Sequence, residues 1–290
     1  MKNSEKWMRG LPYVGNKGQK AQKVIDVLPA GNRFIDVFGG GGSISLTAAS
    51  SGKYDTVIYN DRRKTVVNLL KAFIEDNPHF DLTKYVYMDR ETFYNWRDNQ
   101  PDSIERTLVL TVWSFSNNLH DYLWGKKIEK EKLQLTRAIF FGDTGTQLDE
   151  LYEYAKSETT IAGKYTAYHK WRREMMITRP KQLQQLERLQ RLQQLQQLQQ
   201  LEYSTLDYRD LVIRPDDVVY CDPPYVNTGV DYGGWDPDAF YAWLAACPAK
   251  QIYISEYTQL PNTDVAFNLG SKLSLTGAGT RRNELLLRYV

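Results

Sequence analysis

Residues 33–46 read RFIDVFGGGGSISL, and this stretch decides the fold. A short apolar run at 33–38 ends in four consecutive glycines at 39–42. The small-residue segment 43–49 then reads as a helix, and 56–59 (TVIY) as a second strand leading through Asn60 and Asp61 into a helical stretch up to Phe73. Strand, glycine turn, helix and strand in this order begin a parallel, doubly wound α/β sheet. Glycine lets a turn approach a ligand closely, and a helix start offers unpaired N–H groups. Asp61 ends the second strand 22 residues past Gly39, where doubly wound sheets commonly place the carboxylate that takes ribose hydroxyls. Asp36, Phe38, Gly39, Gly40, Gly41 and Asp61 are therefore expected to hold an adenosine-containing cofactor.

Downstream, 217–220 (DVVY) and 251–255 (QIYIS) read as buried strands with a helix at 240–246 between them. Residues 202–204 read as a short strand and 284–290 (ELLLRYV) as the last one. Asp222, Pro223, Pro224 and Tyr225 directly follow the strand at 217–220. Doubly wound sheets bind ligands at the C-terminal ends of their strands, so this tetrad belongs beside the glycine turn. Two prolines fix φ and remove two N–H donors, leaving a rigid row of carbonyl acceptors. A carboxylate, an imide carbonyl and an aromatic face suit a planar ring carrying an exocyclic amine. The lone pair of such an amine is delocalised into the ring. Accepting its two N–H groups at Asp222 and at the Pro223 carbonyl draws the nitrogen toward a tetrahedral shape and exposes that pair. Attack on a methyl sulfonium then needs an in-line approach of about 3 Å. Tyr225 is placed to stack on a base that has left its duplex.

Between 75 and 200 the pattern turns helical and aromatic, with 103–113 as the clearest helix. The expected organisation is a sheet domain formed by 1–74 and 202–290, interrupted by a helical lobe at 75–201. Leucines at 183, 186, 189, 192, 195, 198 and 201 repeat every three residues. Steps of 300° carry such a stripe around an α-helix, so the Leu/Gln-rich stretch 182–201 is expected to be a helical connector and not a coiled coil.

The 290 residues are 42% hydrophobic and 25% charged, with a formal charge of +2, so the distribution of charge says more than its sum. Lys164, Lys170, Arg172, Arg173, Arg179, Lys181, Arg188 and Arg191 face only Glu174 and Glu187 in their stretch. Basic residues interleaved with Trp124, Tyr165, Tyr168 and Trp171 suit a nucleic-acid surface. No apolar run reaches the length of a membrane span, and MKNSEKWMRGLPY lacks a secretory core, so a cytoplasmic protein is expected. Two cysteines, and three histidines without ligand spacing, suggest no disulfide framework and no metal.

Five stretches together resemble the Dam-type, α-ordered D12 class of DNA adenine-N6 methyltransferases, the phage-encoded members most of all. They are LPYVGNKGQ (11–19), FIDVFGGGGSISL (34–46), YNDRRKTVVNLLKAF (59–73), VVYCDPPY (218–225) and GTRRNELLLRY (279–289). The resemblance implies a Rossmann-like methyltransferase sheet with an inserted helical DNA-recognition lobe, S-adenosylmethionine as cofactor, and base flipping in double-stranded DNA. It also implies a restriction-modification or phage setting and a monomer, or more than one copy on DNA. At matching positions it implies cofactor contacts for Tyr13 and Lys17, the ribose for Asp61, the adenine for Asp207 and Tyr208, and catalysis beside the cofactor for Asp222. Many members methylate GATC. Those relatives carry Arg-Tyr-Asn or Arg-Ile-Asn and a Pro-Phe-Gly segment after the aromatic-Asn helix, and SNNLHDYLWGKKIEKEKL (116–133) has neither. Asn117, Asn118, Lys126, Lys127, Arg172 and Arg173 are the candidates for base or phosphate contacts, with a solvated loop as the other reading. Cytosine-N4 transfer in DNA and amine methylation of RNA are the alternative activities.

Overall fold

The computed structural model describes residues 9–75, 81–142, 145, 148–175, 181–192, 200–224, 235–273 and 281–290. The chain divides into two compact units, one of Met1–Arg9, Lys17–Val67 and Leu198–Val290, the other of Gly10–Asn16 and Asn68–Gln197.

The first unit carries the sheet. Its strands are β1 (Gly31–Asp36), β2 (Tyr54–Asn60), β3 (Leu201–Ser204), β4 (Val218–Cys221), β5 (Gln251–Glu256), β6 (Thr263–Leu273) and β7 (Arg281–Tyr289). Among the described residues they form one seven-stranded sheet in the order β3-β2-β1-β4-β5-β7-β6. β1 to β5 pair in parallel, while β7 runs antiparallel to both β5 and β6. This is the expected doubly wound, mostly parallel sheet. All four residues of β4 are buried, as its unbroken apolar run requires of a central parallel strand. β2 and β3 lie to one side of β1, and β4 and β5 to the other. The order therefore reverses between β1 and β4, where sheets of this kind leave a crevice for ligands. Asp36 is the register partner of Tyr220, and the Val37 N–H donates to the Tyr220 carbonyl at 3.0 Å.

The helices are α1 (Ala21–Val27), α2 (Ser43–Ser50), α3 (Lys64–Ile74), α4 (Arg90–Asn99), α5 (Ile104–Trp113), α6 (Lys126–Phe140), α7 (Asp149–Ala155), α8 (Ile161–Met175), α9 (Lys181–Leu192) and α10 (Pro237–Ala246). α2 packs on α1 and on β1, β2 and β3. Its residues from Ser43 through Ala49 are all buried, and their small side chains permit the close approach. α10 begins with Pro237 in its first turn and Asp236 accepting the N–H groups of Asp238 and Ala239. It buries Phe240 and Leu244 against Ile35, Val37, Val219, Cys221 and Ile254.

One strand was not legible. β6, TDVAFNLGSKL, mixes Asn, Gly, Ser and Lys into its alternation and carries register shifts at Val265/Phe267 and Asn268/Gly270. Bulges of this kind break the two-residue period by which a strand is recognised.

The second unit is helical among its described residues. α4 packs on α5, α5 on α9, and α6, α7 and α8 on one another. Trp113, fully buried, donates its indole N–H to the Tyr85 carbonyl at 2.8 Å and stacks on Tyr122. In α9 the leucines at 183, 186, 189 and 192 are all fully buried. Four leucines at 300° steps sweep only half of the helix surface, and α5 and α8 both pack on α9. The remaining leucines at 195 and 198 lie outside the described residues. The aromatic residues read as a nucleic-acid surface prove otherwise. Trp124, Tyr165, Tyr168 and Trp171 are buried, filling the helical core. A large ring three or four residues from another at a helical spacing is core-forming unless its neighbours leave it in water. Leu186→Ala is accordingly expected to destabilise the protein by about 2–5 kcal/mol, read as a lowered urea midpoint.

Candidate active site at the switch point

The glycine turn is held by the end of β2. A Cβ on Gly39 would stand 2.3 Å from the Tyr59 ring and 3.1 Å from the Asn60 carbonyl, which instead accepts the Gly39 N–H at 2.7 Å. Gly42, with φ +77, caps α2 in a left-handed conformation that disfavours other residues. The Tyr59 hydroxyl donates to the Gly40 carbonyl at 2.7 Å. Asp61 accepts the Gly40 N–H at 2.9 Å and the Arg63 N–H at 2.8 Å. Burial raises its carboxyl above the usual range against the pull of those bonds. Buried Asn60 donates to the carbonyls of Val37 and Leu206 and accepts the Leu206 N–H, joining the end of β1 to the segment that carries Asp207.

Asp36 lies beneath this turn, 1% exposed. Its Oδ2 accepts the Ser45 hydroxyl at 2.6 Å, while its Oδ1 is buried without a hydrogen-bond partner. Burial, reinforced by the charges of Asp222 and Asp61, pushes its carboxyl up to about 7 despite the Ser45 bond. Phe38 leads into an aromatic group, with ring centroids 5.5 Å from Tyr208, 5.6 Å from Trp235 and 5.7 Å from Phe240. The Trp235 indole Nε1 is buried and has no hydrogen-bond partner. Asp207 turns to Arg209, accepting both its backbone N–H and its guanidinium, which holds the carboxyl below the usual range.

β4 delivers the tetrad. Asp222 lies two residues past the register partner of Asp36, and Pro223 behind it is buried. Tyr225 lies outside the described residues. Lys17 Nζ donates to Asp222 Oδ2 at 2.5 Å and stands 3.3 Å from Glu284 Oε1. Glu284 Oε2 accepts from Lys20 at 2.8 Å. Burial draws the Lys17 ammonium down, but the two carboxylates outweigh it and leave its pKa raised. Burial likewise pushes Glu284 up, and the two lysines bring it below the usual range. Cys221, fully buried, has a thiol raised well above its ordinary value by that burial.

The first unit thus gathers Lys17, Asp36, Phe38, Gly39, Gly40, Gly41, Asp61, Tyr208 and Asp222 around the ends of β1, β2 and β4, with Asp207 directed at its own neighbour. Tyr13 belongs to the second unit, where its carbonyl accepts the Asn16 N–H at 3.1 Å. Two of the candidates in that unit are engaged within their own loop. Asn117 donates to the Thr111 carbonyl. Asn118 accepts the N–H groups of His120 and Asp121 and donates to the Asp121 carboxylate. Their amides brace a loop in which Ser116, Asn117 and Leu119 all have positive φ. Lys126 and Lys127 are exposed at the start of α6, where the helix dipole disfavours cations. Arg172 and Arg173 lie on α8, and their side chains are outside the described residues. Sequence reasoning missed Tyr59, Asn60, Ser45 and Lys20 as supports, and assigned Glu284 no role. A polar residue just before Asp61, in a strand otherwise apolar toward its end, was the available signal for Asn60.

A parallel sheet that reverses at β1, with a glycine turn and an Asp-Pro-Pro segment on neighbouring strand ends, defines a Rossmann-like methyltransferase fold. Residues 13–242 match the D12 class N6 adenine-specific DNA methyltransferases, and the chain belongs to that family. A comparison with curated proteins gives no match. The protein is thereby an adenine-specific DNA methyltransferase, which sets aside cytosine-N4 and RNA substrates. Among the described residues no helix is long and apolar enough to cross a membrane, and no three His, Cys, Asp or Glu side chains group as metal ligands.

Asp36 has a measurable signature. Burial holds its folded-state pKa at about 7, above the ordinary carboxylate value of 3.8, so the folded protein retains a proton that the unfolded chain releases. This residue therefore lowers stability progressively as pH rises from about 4 to about 7, and uniformly above that. Asp36→Asn should match the parent's melting temperature near pH 4 and exceed it by a growing margin up to pH 7–8, by scanning calorimetry.

Proposed function

We propose that the chain methylates adenine N6 in double-stranded DNA with S-adenosylmethionine as donor, Asp222 and the Pro223 carbonyl accepting the amine. The observation that carries this reading is the place of Asp222, two residues beyond the β4 partner of Asp36 and next to the glycine turn. The residues present fit the cofactor. Asp36 Oδ1 is a buried acceptor without a partner and Trp235 Nε1 a buried donor without one. They suit an ammonium group and a ring nitrogen of adenine respectively. Phe38 and Tyr208 offer aromatic faces for that ring, and Asp61 and the Gly39–Gly41 backbone offer ribose and amino-acid contacts, with Lys17 and Asp207 completing the set within the first unit. S-adenosylmethionine, when bound, supplies a methyl carbon activated by a sulfonium.

The work of the chain is then positioning and charge. Asp222 and the Pro223 carbonyl accept the two amine N–H groups, which localises the lone pair and aims it along the transfer axis. Nucleobase amines are sterically shielded in a duplex, so the adenine is flipped out to reach Asp222, and Tyr225 stacks on it. Target recognition falls to the helical unit, with Lys126, Lys127, Arg172 and Arg173 toward phosphates and the strained loop around Asn117 and Asn118 toward bases. By resemblance to the Dam-type subclass and its phage members we expect GATC as the target and a monomer as the acting species. Asp222→Ala should lower methyl transfer to duplex DNA by at least about 10³-fold, in a tritiated-methyl assay, with cofactor binding by calorimetry retained. Unchanged turnover in that variant would sink the reading. Single-molecule sequencing of genomic DNA from expressing cells reads the modified base and its context, and a context other than GATC removes the Dam-type specificity alone.

A further inference from the structure

Glu284, on β7, belongs to no part of the site so far. It is 2% exposed, both its oxygens face cations, and one of those cations is the lysine bonded to Asp222. Lys17, 6% exposed, thus stands between two carboxylates, at 2.5 Å from Asp222 and 3.3 Å from Glu284. Lys20 holds Glu284 in place from the other side and also donates to the Gly270 carbonyl of β6 at 3.2 Å. The four groups carry two positive and two negative charges, a balanced set in a buried location.

This arrangement bears on how Asp222 accepts an amine. An ammonium bonded to a carboxylate adds the attraction of opposite charges to a hydrogen bond that a neutral donor makes without it. An amine arriving at Asp222 therefore competes with Lys17 on unequal terms. Were Asp222 the only counter-charge, withdrawing Lys17 would leave a buried ammonium uncompensated. Glu284 removes that obstacle, because it stands within ion-pair distance of the same Nζ. We propose that Glu284 is a positioning residue that takes up Lys17 as the substrate amine engages Asp222, so that the catalytic carboxylate accepts from substrate at full strength. This rests on the role given to Asp222 above.

Steady-state kinetics of Glu284→Gln on duplex DNA test it. The neutral isostere should lower kcat by about ten- to a hundredfold while leaving KM for cofactor and DNA within about twofold. Lys17→Met removes the competitor, so E284Q should cause no further loss in the K17M background. Glu284→Asp, which keeps the charge, should recover part of the kcat lost in E284Q. Wild-type kcat in E284Q, a raised KM at unchanged kcat, or an undiminished loss in the K17M background would each overturn the proposal. Where E284Q does not fold, E284D is read in its place, with kcat about tenfold down at unchanged KM expected and wild-type kcat overturning the idea. Turnover retained by D222A removes the reading beneath this one, whereas an inactive D222A beside a fully active E284Q removes the Glu284 role alone.

Discussion

Phe34, Ile35 and Asp36 of β1 stand opposite Val218, Val219 and Tyr220 of β4, and this register sets where every polar group at the switch point can stand. Side chains alternate faces along a strand, so a slip of one residue would exchange Asp36 with its apolar neighbours. Ile35 and Val37 would leave the core they share with α10, and a carboxylate would enter it. The apolar pattern of β1 and β4 therefore fixes the chemistry at their ends without contributing a polar atom to it. The same register brings the glycine turn and the Asp-Pro-Pro segment to one edge, although 180 residues of sequence separate Gly42 from Asp222.

The sheet end concentrates charge where solvent is scarce. Asp36, Lys17 and Glu284 are all nearly inaccessible, and Asp61 is tied down by two backbone N–H groups. Buried ionisable groups lower stability unless balanced, and folds keep them mainly where function demands it. Two kinds of balance are present. Lys17, Lys20, Asp222 and Glu284 neutralise one another. Asp36 has Ser45 as its donor and, among the described residues, no cation beside it, and instead holds its proton to about neutral pH. The helical unit is filled mainly by leucines and aromatic rings, with Lys126 and Lys127 outside, though Lys132, Gln182 and Gln185 are buried there as well.

Much of this was legible because parallel strands write themselves as apolar runs and turns as glycines. β1, β2, β4 and β5 fall within two residues of where the sequence places them. β6 escaped because its bulges interrupt the alternation, and the long helices of the second unit offered no chemistry to anchor a reading. Asp222 and the glycine turn stood out since a rare local motif carries them. Glu284 and Lys20 did not, because an ion pair between residues 264 positions apart leaves no local trace. The same holds for Asn117 and Asn118, whose amides looked available in one dimension and turn out to brace their own loop. Interleaved rings and basic residues misled for a related reason, since a helical spacing is equally the mark of a core.

Cys221 occupies the position next to the carboxylate at the end of β4, sealed in the core and held far from ionisation. Sulfur attacks alkyl donors and peroxides as thiolate, hardly at all as thiol. A sulfonium reagent accepted at this strand end would meet no competing nucleophile one residue away, and the enzyme is spared self-alkylation.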